Sequence, residues 1–233
     1  MDQRRASPGA GLGRRAIKGT ILFVLALWLL IFLPAGSVAY WQGWLFWAHF
    51  SLWSAAGTWY FLKRDPALVQ RRLRSGPGAE REPAQRRIQL FLSIVMCSLF
   101  VLSALDHRFG WSGMPWPIAI AGNVLIAAGY FLIFLVLREN SFAASTIEVA
   151  PDQTVIATGP YALVRHPMYA GALVMFAGMP LALGSWWGLL LVVPLVAGLI
   201  ARLRDEEAYL VRNLPGYEAY RNGVRWRLVP GVW

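Results

Sequence analysis

The chain has 233 residues, of which 57% are hydrophobic and only 15% are charged. Because an average soluble domain carries about 25% charged residues, this composition excludes an ordinary soluble fold and indicates an integral membrane protein. The single cysteine, Cys97, excludes both a disulfide framework and a cysteine-ligated zinc site.

Six apolar segments follow one another along the chain, and most of them approach the ~20 residues that a bilayer crossing requires. They span residues 19–38, 43–62, 88–105, 117–137, 167–183 and 186–201. The last two are short, and only Gly184 and Ser185 lie between the main apolar runs, which predicts a tight helical hairpin. The sequence therefore predicts an all-α integral membrane fold with about six transmembrane helices.

Lysine and arginine residues lie almost entirely on one of the two sides that these segments define. Residues 1–18 hold five of them, 63–87 hold eight, 138–166 hold two and the C-terminal tail holds six, whereas the intervening loops hold only Arg108. By the positive-inside rule, both termini and the two long loops are expected to be cytoplasmic. The formal charge of +10 then reflects a basic collar facing anionic lipid headgroups, and not nucleic-acid binding.

Three stretches of the first half admit more than one interpretation. The sequence "PAGSVAY" fits a signal-peptide cleavage site, but the apolar run continues to Trp41, so we expect the first segment to be retained. The residues from Gly9 to Gly13 spell Gly-X-Gly-X-Gly, but no strand precedes them, and we expect a disordered tail. The polar loop 63–87 is expected to be a solvated linker with a short interfacial helix around 66–74.

Polar residues of the second half concentrate in two segments on the side expected to be cytoplasmic. Before the fifth apolar segment, the pattern predicts short extended pieces at 145–149 and 153–157, and then a helix that begins at Pro167. After the sixth segment, a helix leaves the bilayer, turns at "PG" and continues over 217–222. A functional site is expected where these two segments meet.

The stretch "RHPMYAG" is the first candidate for chemistry. His166 lies near the N-cap of the helix that Pro167 begins, and Tyr169 falls in its first turn. The free backbone N–H groups of such a turn are a receptor for an anionic group. We expect Arg165 and His166 to stand at this helix start because the turn wraps a charged ligand.

The helix that follows the last apolar segment provides the second candidate. Arg202 and Glu206 are four residues apart and therefore share one helix face. Two interpretations stay open: an interfacial salt bridge at the helix mouth, to which Arg204 and Glu207 are suited, or a cavity beside the "RHPMY" turn that Arg202 and Glu206 face. The remaining histidines, His49 and His107, are far apart in the sequence, so no metal site is predicted.

The combination of "GPYALVRHPMYAG", a helical hairpin, R-X-X-X-E-E and "PGYEAYRNGV" resembles the isoprenylcysteine carboxyl methyltransferase family. The membrane phospholipid methyltransferases share the pattern more loosely. The resemblance covers roughly residues 138–233. It implies that S-adenosylmethionine (SAM) binds without a Rossmann domain, in a cytoplasm-facing pocket made by the last two helices, the loop before them and the C-terminal helical segment.

The family pattern also implies which residues of this chain contact the ligands. The implied cofactor contacts are Gln153, Thr154, Val155, Ile156, Tyr161, His166, Pro167, Met168, Tyr169 and Glu206. Arg202 would meet the methyl acceptor, and it forms the implied catalytic pair with Glu206. Where the family has a Gln upstream of the loop, this chain has Thr146.

The resemblance implies a SAM-dependent methyltransferase that acts on a lipophilic or small acceptor arriving through the bilayer. An isoprenylcysteine-like carboxylate is the favoured acceptor, and amine and thiol acceptors stay open. The chain would then comprise a basic tail (1–18), a four-helix membrane region (19–137) and a cofactor-binding catalytic region (138–233). Its compactness and the resemblance imply a bacterial inner membrane, with the active site on the cytoplasmic side.

Two other functions are compatible with the sequence pattern. One is an NADPH-dependent membrane oxidoreductase, since sterol and enone reductases have a similar C-terminal pattern. The other is a membrane protein without enzymatic activity. The oligomeric state is not predicted, because Gly171 and Gly178 permit close helix packing either within one chain or between two.

Overall fold

The computed structural model describes residues 8–233, with side chains from residue 11 onward. The described chain contains helices and no strands, which confirms the predicted all-α fold. Its α-helices are α1 (Pro8–Ala35), α2 (Trp41–Arg64), α3 (Pro66–Arg72), α4 (Pro83–Phe109), α5 (Trp116–Glu139), α6 (Pro167–Ala182), α7 (Val192–Asn213) and α8 (Tyr217–Gly223). Short 3-10 helices lie at Pro77–Ala79, Gly159–Ala162 and Trp187–Leu191.

Four helical stretches in the described residues are long and apolar enough to cross a bilayer. They are Gly11–Ala35, Pro83–Phe109, Trp116–Glu139 and Trp187–Asn213. Helix α6 is apolar but has only 16 residues. Helix α2 has 24 residues, but its Trp, Tyr, Ser and Gly residues lower its mean hydropathy. The protein is thus an integral membrane protein by length and composition of its helices, and a total of six spans stays a prediction.

The start of α1 differs from the prediction. The expected disordered stretch from Gly9 to Gly13 is helical, because α1 already begins at Pro8. The physical reason is tertiary: Leu12 and Ala16 are buried in an apolar cluster with Phe61 and Leu68, so the first turns have a surface to pack against. The predicted basic tail therefore lies partly within a helix, and its first seven residues lie outside the described part of the chain.

The polar segments also differ in part from the prediction. Helices α3 and α8 confirm the two short helices expected around 66–74 and 217–222. The extended pieces at 145–149 and 153–157 are not strands. No neighbouring strand accepts their hydrogen bonds, and instead Ile147 N–H donates to the carboxylate of Glu80.

The turn between α6 and the next helical segment is tight, as predicted. Gly184 has φ +74°, a conformation that favours glycine. The buried Asp106 of α4 fixes this turn, because its carboxylate accepts from the hydroxyls of Ser185 at 2.5 Å and Ser112 at 2.6 Å. Helix α6 packs mainly along α5. At its N-terminal end, far from this turn, α6 comes close to α7, and the candidate site lies there.

Glycines allow α5 and α6 to pack with their backbones in close approach. A Cβ atom added at Gly129 would lie 2.6 Å from the carbonyl oxygen of Gly171, and one added at Gly178 would lie 2.7 Å from that of Gly122. Both distances are far below van der Waals contact. Gly171 and Gly178 therefore allow α6 to pack closely against α5 within one chain.

This packing gives a matched pair of glycine substitutions. Gly178→Ala is expected to destabilise the protein by about 1–3 kcal/mol, because the new methyl group must push two backbones apart. Gly57→Ala in α2 is the control, since a Cβ there meets nothing within 4 Å and alanine favours the helix by about 0.5–1 kcal/mol. Thermal unfolding in detergent should show a lower Tm only for Gly178→Ala. Equal Tm values for the two variants would contradict the close packing.

Candidate active site

One cavity lies where the segment after α5, the start of α6, the end of α7 and α8 meet. It encloses about 880 Å³ including its opening to solvent. The structure brings together in its lining every residue that the resemblance assigned to a ligand: Gln153, Thr154, Val155, Ile156, Tyr161, His166, Pro167, Met168, Tyr169, Arg202 and Glu206. Thr146 lines the same cavity. Residues separated by more than 50 positions in the sequence thus share one space.

The N-terminus of α6 opens into this cavity. Pro167 is the first helical residue, and His166 before it does not cap the helix through its side chain. Because the first N–H groups of a helix have no intrahelical partner, those of Met168 and Tyr169 are free to donate to an anion. The His166 ring is buried, and its Nε2 atom makes no hydrogen bond, lying 3.4 Å from the carboxylate of Glu207.

Tyr169 and Glu206 link α6 to α7 across the cavity. The Tyr169 hydroxyl donates to the Glu206 carboxylate. Within the described residues Glu206 forms no ion pair, whereas Glu207, for which a salt bridge was the alternative, pairs with Arg165 and Arg227. Glu206 is half-buried and lines the cavity as an uncompensated carboxylate.

Arg202 lines the cavity and is held by three partners. Its guanidinium donates to Glu80 at 2.7 Å, to Gln85 at 3.1 Å and to the carbonyl oxygen of Ser145 at 3.0 Å. The Glu80 side chain is only 1% exposed. The loop 63–87 is therefore not simply the solvated linker that the sequence predicted, because it supplies the ion-pair partner of a cavity residue.

Helix α3 holds the wall of the cavity through two arginines. Arg71 donates to the carbonyl oxygen of Ser141 at 2.7 Å, and Arg72 donates to that of Ala143 at 3.2 Å. The Ser145 hydroxyl donates to the carbonyl oxygen of Arg72. Burial lowers the pKa of the Arg72 guanidinium below its ordinary value. These contacts fix the backbone of residues 141–145 without a strand partner.

Glu207 is the centre of a buried cluster behind the cavity. Its carboxylate accepts from Arg165 Nε at 2.6 Å and from Arg227 Nε at 2.8 Å. Arg165 also donates to the carbonyl oxygens of Val224 and Arg225. Arg165 therefore anchors the C-terminal segment to the start of α6. It also lines the cavity, and the wrapping of a ligand by this turn stays a prediction.

Asn140, Tyr217 and Tyr220 are among the lining residues that were not predicted contacts. Asn140 donates to the Tyr161 hydroxyl at 2.9 Å, and the Tyr220 hydroxyl donates to the carbonyl oxygen of Tyr161 at 2.8 Å. Burial raises the pKa of Tyr161 to about 12, although the Asn140 hydrogen bond opposes this, so the phenol is neutral near pH 7. Tyr217 lines the cavity three residues before Tyr220, and this helical spacing in "PGYEAY" was the available sequence signal.

No group of three or more His, Cys, Asp or Glu side chains within the described part of the chain could hold a metal ion. The polar groups that line the cavity suit an organic ligand with charged and hydrogen-bonding parts. Its wall includes the apolar side chains of Ile147, Val155, Leu210 and Leu214.

Comparison with known proteins agrees with the resemblance seen in the sequence. Residues 118–215 match the family model described as phospholipid methyltransferase, a family related to the isoprenylcysteine carboxyl methyltransferases. No curated protein matches the chain. The matched region contains most of α5, all of α6 and α7, and the cavity wall between them. The match confirms the resemblance at this level and indicates a membrane methyltransferase, and it supports neither the oxidoreductase nor the non-enzymatic alternative.

Proposed function

We propose that this membrane methyltransferase uses SAM as its methyl donor and that the cavity is its active site, facing the cytoplasm. The observation that supports this most is the meeting of an uncapped helix N-terminus and an unpaired carboxylate in one partly apolar cavity. These are complementary to the two ends of the SAM amino acid group. The family match supports the same activity from an independent direction.

The chemistry of the lining fits SAM part by part. The free N–H groups of Met168 and Tyr169 are placed to receive the carboxylate at the positive end of the α6 dipole. Glu206 is the acceptor for the ammonium group or the ribose hydroxyls. The His166 ring lines the cavity beside this helix start, while its Nε2 atom faces the Glu207 carboxylate at 3.4 Å, so we assign that atom no hydrogen bond to the ligand. The apolar wall that contacts the adenine would come from Ile147, Val155, Leu210 and Leu214.

When bound, SAM supplies a methyl group on a sulfonium sulfur, and transfer leaves the bonding electron pair on that sulfur. The protein then has to align the acceptor with the methyl group and exclude water. Arg202 is the residue that we assign to the acceptor. Its contacts with Glu80, Gln85 and Ser145 fix the guanidinium, so that it is positioned before any ligand arrives.

The acceptor that the family resemblance favours is a lipophilic or small carboxylate. Such an acceptor needs no general base, and Arg202 is a cation suited to hold it. A lipid amine is the second candidate, because Glu80 already neutralises Arg202 and Glu206 could take the proton that the amine must lose. A thiol is a third class that would have to react as thiolate.

Methyl transfer from isotope-labelled SAM to a membrane lipid extract tests this proposal. Wild-type protein in proteoliposomes should transfer label to a product that partitions into organic solvent. A methyl ester releases its label in mild base, whereas an N-methyl or S-methyl product keeps it. We expect Arg202→Gln to lose most of the transfer and Arg204→Gln, on an exposed position two residues away, to retain it. Folded wild-type protein that transfers no label to any fraction would contradict the proposal.

A further inference from the structure

Glu80 is a buried carboxylate that comes from outside the matched family region. It follows the 3-10 turn Pro77–Ala79 in the loop between α3 and α4. Its Oε1 atom accepts from Arg202 Nη2 at 2.7 Å, and its Oε2 atom accepts from the backbone N–H of Ile147 at 3.2 Å. One carboxylate thus holds a cavity cation and a cavity wall at the same time.

Some of the charged groups around the cavity have ion-pair partners and others do not. The buried Glu207 is compensated by Arg165 and Arg227. Arg202 is compensated by Glu80, at a site where both side chains are less than 10% exposed. Two further carboxylates that line the cavity, Glu148 and Glu206, form no ion pair among the described residues. Glu80 thus offsets the charge of Arg202, while Glu148 and Glu206 have no ion-pair partner among the described residues.

We propose that Glu80 is a specificity-determining residue that makes the cavity prefer a cationic ligand over a neutral one of the same shape. The inference rests on the proposed function, in which the two ligands are SAM and its product S-adenosylhomocysteine (SAH). These differ by one methyl group and by the sulfonium charge. Without Glu80, the charge of Arg202 would act on the sulfonium at reduced screening, because the pair is buried. Glu80 therefore favours binding of the donor and release of the product.

Calorimetric titration of the full-length protein in detergent with SAM and with SAH, separately, tests this role. In Glu80→Gln the ratio of the SAM Kd to the SAH Kd should rise about tenfold relative to wild type. The double variant Glu80→Gln with Arg202→Gln should restore the wild-type ratio, because both charges of the pair are then absent. Glu82→Gln, an exposed carboxylate two residues away, is the matched control and should leave the ratio unchanged.

The ratio of the SAM Kd to the SAH Kd distinguishes an effect of charge from a loss of structure. If Glu80 only supports the fold, Glu80→Gln weakens both ligands equally and the ratio stays constant, which overturns the proposal. If Glu80→Gln does not fold, the single variant Arg202→Gln tests the proposal instead. Its uncompensated Glu80 should shift the ratio about tenfold towards SAM. An unchanged ratio in this variant overturns the proposal. Folded wild-type protein that binds neither ligand would instead contradict the proposed function itself.

Discussion

Glu207→Ala is expected to destabilise the folded protein by about 3–5 kcal/mol, the usual cost of removing one partner from a buried ion pair. Glu207 accepts hydrogen bonds from Arg165 and Arg227, and its side chain is only 8% exposed. Without it, the buried Arg165 loses its counter-ion. Because Arg165 also holds the carbonyl oxygens of Val224 and Arg225, the C-terminal segment should come loose from the start of α6.

Thermal unfolding in detergent measures this loss. The matched control is Glu218→Ala, which removes a carboxylate that is 68% exposed and lies 3.6 Å from Arg221. Surface ion pairs of this kind contribute little, so the control should stay within about 0.5 kcal/mol of wild type. Equal Tm values for Glu207→Ala and wild type would show that the cluster is not the anchor of the C-terminal segment.

Glu206→Gln is expected to weaken SAH binding about 10- to 100-fold while leaving the fold intact. A hydrogen bond to a charged group contributes about 1.5–3 kcal/mol, which corresponds to this range. The glutamine oxygen can still accept from the Tyr169 hydroxyl, so the contact between α6 and α7 persists. The substitution therefore removes the charge that faces the ammonium group and keeps the shape of the cavity.

Calorimetry together with the Tm of each variant distinguishes lost binding from lost folding. Glu218→Gln serves as the control, because its exposed carboxylate on α8 does not line the cavity. Unchanged SAH affinity in a folded Glu206→Gln variant would show that the ligand is held elsewhere. The neighbouring Glu207 is the contrast: it pairs with Arg165 and Arg227, and its substitution should act first on stability.

Much of the fold could be predicted because the features that determine it act within short stretches of the sequence. Apolar length determines which segments can form long membrane helices, and the distribution of arginine and lysine separates the two sides. Pro167 and Gly184 mark the start of α6 and the turn after it, since each has a backbone preference of its own. The residues that line the cavity could be predicted from the resemblance, because the family motifs place both polar segments at one end of the same helices.

The contacts that hold the site could not be predicted, because they depend on tertiary structure. Glu80 and Arg202 are 122 residues apart, and nothing near "AERE" indicates that its first glutamate is buried while Glu82 is exposed. The same holds for the adjacent pair of Glu206 and Glu207, which face different partners. The early start of α1 likewise depends on a surface formed by other helices.

The most direct test of the proposed use of SAM is calorimetric titration of the folded, detergent-purified wild-type protein with SAH and with NADPH. We predict saturable binding of SAH and no binding of NADPH, since the cavity presents a helix N-terminus and a free carboxylate to an amino acid group. Saturable binding of NADPH with no binding of SAH would contradict the account and assign the cavity to a reductase.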